Sequence, residues 1–175
     1  MYFHPRLVLN RMNRSELLNE LKKEARYISN EDLSLARAAI MGAVEHVPEP
    51  YKTIYSSDYF TFLYENFLRL KGHKEIGIEE ELDAEEYASL LGSIKDKSYP
   101  DDRKREALTR LSSLVLAYLV FIVKEPLHPV GMIFPGGMRI TQKEPHYYCP
   151  VKGKQSETNI SFCEFCICKD NSELE

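Results

Sequence analysis

Six prolines and glycines (Pro126, Pro129, Gly131, Pro135, Gly136 and Gly137) fall within twelve residues and forbid regular helix there. Everything before them reads as helix and everything after as short irregular pieces. The sequence therefore predicts a mainly α protein: a bundle of about five helices over residues 1–124, with a small irregular cap over 125–175 packed on it as one folding unit. Within the cap, Met138–Thr141 and His146–Cys149 flank Gln142–Pro145 and have the lengths of a short β-hairpin.

Helix signals punctuate the body. Asn13 precedes Glu16 by a capping-box spacing, and Leu17, Leu18, Leu21, Ala25 and Ile28 follow with helical period. A second helix is expected from about Glu31 to His46, stopped by Pro48 and Pro50. Asp58 reads as the N-cap of a third, Tyr59–Lys71, closed by Gly72. Asp83 caps a fourth through Tyr87, Leu90, Leu91 and Ile94, at the end of an acidic run, Glu75–Glu86, that reads as a solvated face. Pro100 opens the fifth, with Asp101 and Asp102 in its first turn. Its back half, Leu114–Val123, is ten apolar residues long, about half of a membrane span. It reads as the buried central helix rather than as a membrane segment.

All four cysteines stand in the last 27 residues, at Cys149, Cys163, Cys166 and Cys168. Such clustering around a Cys-x-x-Cys core points to one metal locus, zinc first and iron–sulfur second. Cys149-Pro-Val-Lys-Gly resembles a zinc-ribbon knuckle in which Lys152 replaces the second cysteine. In such a turn backbone N–H groups support the thiolate, and Gly153 is expected to supply a positive φ. Cys163-Glu-Phe-Cys166 is the other knuckle. For the fourth ligand, spacing leaves Cys168, His128 and His146 as candidates.

Other chemistries find little support. The formal net charge is −4, and residues 125–175 hold five Lys/Arg against seven Asp/Glu. That balance opposes nucleic-acid binding, although Lys152, Lys154, Tyr147 and Tyr148 could serve a single strand. The first ten residues contain no apolar stretch of signal-peptide length. Glu125-Pro-Leu-His128 has the spacing of a di-iron motif, but Pro126 breaks the helix it needs and no second copy exists. No His-Glu-x-x-His, P-loop, nucleophile elbow or dinucleotide fingerprint occurs. A catalytic zinc served by Glu125 or Glu164 as base is a lesser variant, and enzyme activity stays open. Phe134-Pro-Gly-Gly-Met reads as a plain turn first and an anion nest second, and Tyr51, Tyr55, Tyr59 and Phe60 as aromatic packing first and the lining of a groove second.

The stretch His128-Pro-Val-Gly-Met-Ile-Phe-Pro-Gly-Gly, followed by Tyr147-Tyr-Cys-Pro-Val-Lys and Cys163-Glu-Phe-Cys, resembles an uncharacterised protein family of methanogenic archaea. The resemblance spans the chain and implies an archaeal cytoplasmic setting, without an activity. The family pattern includes His128, Cys149, Cys163 and Cys166 but no cysteine at 168, which favours His128 as fourth ligand. Charge agrees: three thiolates and a neutral imidazole leave zinc at −1, whereas a fourth thiolate makes −2 beside Glu164 and Asp170. The expectation is a zinc-stapled helical protein acting in interaction or assembly with a protein partner. An iron–sulfur or catalytic-zinc enzyme, and a single-strand binder, are the alternatives.

Overall fold

The computed structural model describes residues 12–74, 80–96, 99, 101–134, 136–155 and 162–173. The signal-peptide reading of the first ten residues, Glu75–Glu79 of the acidic run, Pro100 and Pro135 lie outside the described residues. Five helices build the body: α1 Arg14–Ala25, α2 Asn30–Ala43, α3 Tyr51–Gly72, α4 Ala84–Asp96 and α5 Arg103–Ala117. The capping box between Asn13 and Glu16 is formed, and a second one joins Ser29 to Asp32 at the head of α2. Each reciprocal pair satisfies two amides that the first helical turn leaves without partners.

Four boundaries differ from the sequence reading. α2 ends at Ala43 rather than His46, because Val44 leaves the helical region as its C-cap. α3 starts at Tyr51, not Tyr59, and Asp58 is an exposed residue inside it. The carbonyls of Pro48 and Pro50 accept from Lys52 and Ile54, so the prolines expected to stop α2 instead lead into α3. Gly72 is still helical, and His73 is the cap. At α5, Asp102 is the N-cap itself, accepting from Lys104 and Arg105, so neither Asp101 nor Asp102 is in the first turn. Asp83 does cap α4, through Glu85 and Glu86.

α5 continues as a π-helical segment, Tyr118–Val123, and stops where Lys124 turns left-handed (φ 54°, ψ 56°). Arg103–Val123 is long and apolar enough to cross a membrane, yet 67% of its most apolar window is buried inside the protein. It packs most extensively on α2 and also meets α1, α3 and α4. Leu17, Leu21, Leu70, Leu90 and Leu111 are each 0% exposed in this core, and burying such a side chain contributes about 1.5–3 kcal/mol. The acidic run is not purely solvated. Asn13 forms a β-bridge with Glu81, and Glu80 pairs with Arg14 and with Lys124.

The cap has three strands. β1 Thr141–Lys143 and β2 His146–Cys149 form a hairpin paired from Thr141↔Tyr148 to Lys143↔His146, so the first strand begins at Thr141 rather than Met138 and takes in Gln142 and Lys143, which the sequence reading left to the turn. β3 Lys169–Asp170, unforeseen from sequence, pairs parallel to β2 through Tyr148↔Lys169 and Cys149↔Asp170. Between β2 and β3 lie a short helix, α6 Lys152–Gln155, and a 3₁₀ turn, Cys163–Phe165. The Phe134–Met138 turn closes on itself, with the Phe134 amide donating to the Met138 carbonyl at 2.9 Å and positive φ at Gly136 and Gly137. Phe165 is buried in the helical core, while Tyr55 and Tyr59 of α3 pack on the cap's own cluster of Met132, Phe134, Ile140, Cys149 and Cys168.

Candidate metal centre

β2 delivers Cys149 into the cap interior, where it is 4% exposed. Burial pushes its thiol above the ordinary range, and the amides of Val151 and Lys152 oppose this by donating to the sulfur. Those donors, two and three residues after the cysteine, are what a thiolate-binding knuckle provides. The 3₁₀ turn sets Cys163 and Cys166 together, with the Cys166 amide donating to the Cys163 carbonyl at 3.2 Å. Phe165, inside the turn, anchors it to the helical core.

Cys166 and Cys168 share a thiol–thiol hydrogen bond. With that bond first among the causes, Cys166 is lowered to about 6, aided by the amides of Leu127 and Cys168 and by the Lys152 charge. The same bond and burial push Cys168 upward, so of the two sulfurs Cys166 is the one favoured to carry negative charge. Cys149 lies within electrostatic reach of the other three sulfurs. No disulfide joins any of the four cysteines.

Lys152 does more than stand in for a cysteine. Its ammonium donates to the carbonyls of Cys166 (2.6 Å) and Cys168 (2.5 Å), tying the first knuckle to the second. Gly153 does not supply a positive φ, since the left-handed glycines are Gly131, Gly136 and Gly137. It is needed for a close approach instead. A Cβ there would come within 2.6 Å of Asp170 Oδ2, whose carboxylate accepts from the Gly153 amide at 2.7 Å.

His128 and Cys163 both line a cavity of about 550 Å³ between α3, α5 and the cap. The His128 ring sits between Tyr59 and Phe134, with centroids 5.5 and 5.8 Å away. Desolvation lowers it to about 4, so it is neutral. His146 is exposed at the start of β2, on the strand face opposite Cys149. Glu125 is held by Arg69 through two bonds of 2.7 and 3.0 Å, and Glu164 lies on the 3₁₀ turn.

Among the described residues, no three His, Cys, Asp or Glu side chains are already set out to hold a metal ion. Cys149, Cys166 and Cys168 lie within electrostatic reach of one another, with amide donors and the Lys152 ammonium around them, and Cys163 stands at the adjoining cavity wall. Sequence reasoning missed the Leu127 amide, which ties the proline-rich loop to Cys166, and the cross-link made by Lys152. Its nucleic-acid candidates are partly spent as well, since Lys152 is engaged internally and Tyr148 is buried.

The pattern of DUF2115, described as an uncharacterized protein conserved in archaea, matches residues 13–171. A UPF0305 protein of Methanococcus maripaludis strain C7 is 40% identical over 167 residues, which is 93% of this chain and 100% of that protein. One from Methanocaldococcus jannaschii is 39% identical over 168 residues, covering 94% and 100%. A UPF0305 protein of Methanothermobacter thermautotrophicus is 28% identical over 159 residues, covering 89% and 95%. No solved structure matches this chain.

Proposed function

This chain belongs to the archaeal family DUF2115, and we propose that it is a cytoplasmic helical protein whose cap is stapled by one zinc ion. Cys149, Cys163, Cys166 and Cys168 are the ligands in this reading, and its role is interaction or assembly rather than catalysis. The observation that supports it is the convergence of amide N–H groups on Cys149 and Cys166, with the Lys152 ammonium beside them. Thiols with such donors are prepared to be thiolates, and a buried thiolate cluster without a cation is costly. Four thiolates around zinc leave −2, and the Lys152 charge offsets part of it where the sequence alone offered no such placement.

Bound zinc supplies on the order of 10–16 kcal/mol in small peptides, ample to hold loops that bury little apolar surface. Elemental analysis of untagged protein should give about one zinc per chain and no visible chromophore. Fully folded protein without metal would refute the reading.

An all-sulfur donor set favours one second reading, an iron–sulfur cluster on the same cysteines in an enzyme or electron carrier. Anaerobically purified protein is then brown and bleached by dithionite. Colourless protein with stoichiometric zinc rejects it.

A further inference from the structure

We propose that the cavity between α3, α5 and the cap is a binding site for a small aromatic carboxylate. The proposal does not depend on the zinc reading, because the cavity shares only the Cys163 wall with the cysteine cluster. At about 550 Å³ it has the size of a small-molecule site.

Its two walls differ. On the α5 side Val115, Leu116 and Leu119 are aliphatic. Opposite them runs a chain of rings: Tyr55 stacks on Tyr59 at 5.6 Å, Tyr59 meets His128 at 5.5 Å, and His128 meets Phe134 edge-on at 5.8 Å. A slot with an aromatic face and an aliphatic face suits a planar ring.

Polar groups inside it lack partners. Among the described residues, neither imidazole nitrogen of His128 nor the Tyr59 hydroxyl has a hydrogen-bond partner within the protein, and both side chains are half-buried in the cavity wall. Here they face open space rather than packed atoms, so a ligand heteroatom can satisfy them. The neutral imidazole offers one donor and one acceptor, and the phenol one of each.

Charge sets the ligand's sign. Lys154, exposed at the rim, is the only Lys or Arg among the described lining residues, and none of those residues is Asp or Glu. An anion therefore meets a cation there and no carboxylate in the wall. A carboxylate on a planar ring reaches Lys154 while the ring lies between the two faces.

The test uses the full chain with its metal content as purified, ¹⁵N-labelled at histidine, titrated with 2-naphthoate and with the neutral 2-naphthamide. His128→Gln assigns the His128 ring signals. The expected result is a saturable shift of those signals, with the carboxylate bound about tenfold or more tightly than the amide, as one charge-assisted hydrogen bond allows. Lys154→Ala should erase that preference while leaving amide binding unchanged. Val115→Phe, which fills the slot from α5, should abolish binding of both probes, and Met138→Trp, from the cap side, gives the same readout if the α5 variant fails to fold. No saturable shift overturns the proposal, as would a solvent-filled cavity whose signals ignore both probes. Binding that survives both filling variants, or a carboxylate preference indifferent to Lys154, overturns it too.

Discussion

The ammonium group of Lys152 lies 2.5 Å from the carbonyl oxygen of Cys168, at the position where a zinc-ribbon knuckle would place its second cysteine. The residue that breaks the ribbon pattern thus joins the two cysteine segments, since the Cys166 carbonyl accepts from the same group at 2.6 Å. It also brings a positive charge against the sulfurs of Cys166 and Cys168.

Replacing that group should be expensive. Lys152→Met leaves two carbonyls without their donor and removes the local cation, an expected loss of about 2–4 kcal/mol, or roughly 5–15 °C in Tm for a chain of this size. Lys152→Arg should recover part of it. Denaturant and thermal midpoints measure both variants, and a Lys152→Met midpoint equal to wild type would mean that the contacts are incidental.

Two residues compete for the fourth ligand position. The expectation read from the sequence favours His128, whereas the Cys168 thiol is hydrogen-bonded to Cys166 and buried beside Cys149 while His128 faces the cavity. Competition with a chromogenic chelator should show Cys168→Ser weakening zinc binding on the order of a hundredfold, and His128→Ala by less than about tenfold. The reverse order gives the position to His128.

His73 predicts a pH response remote from the cysteines. Its Nδ1 lies 2.9 Å from the Tyr118 hydroxyl. Desolvation first, then the charges of Lys22, Arg69 and Arg14, hold it below its ordinary value of 6.5. The native state prefers the neutral ring, so the unfolded chain binds more protons once pH drops below 6.5. The contribution is complete above that value and is lost as pH falls from it towards the folded pKa. Wild-type midpoints should therefore decline more between neutral and mildly acidic pH than those of His73→Gln. Parallel declines would contradict this.

Local signals explain what the sequence made readable. The Asn13–Glu16 box needs only four residues, the proline-glycine run bars helix by covalent geometry, and the clustered cysteines mark a shared locus by spacing alone. The start of α3 was misread because Asp58 has the chemistry of an N-cap, yet nothing after Pro50 interrupts helix until Gly72. Pairing of β3 with β2 and the Lys152 bonds join segments 14 or more residues apart, and no periodicity encodes them. The cavity around His128 is set by how α3, α5 and the cap meet. In sequence its residues look like ordinary aromatic and aliphatic packing.

Zinc K-edge X-ray absorption on the purified full chain tests the central claim most directly. Four sulfurs at about 2.3 Å with no nitrogen shell are expected from a site built on Cys149, Cys163, Cys166 and Cys168. A shell containing nitrogen at about 2.0–2.1 Å, or a cooperatively folded protein with no bound metal to measure, would contradict it.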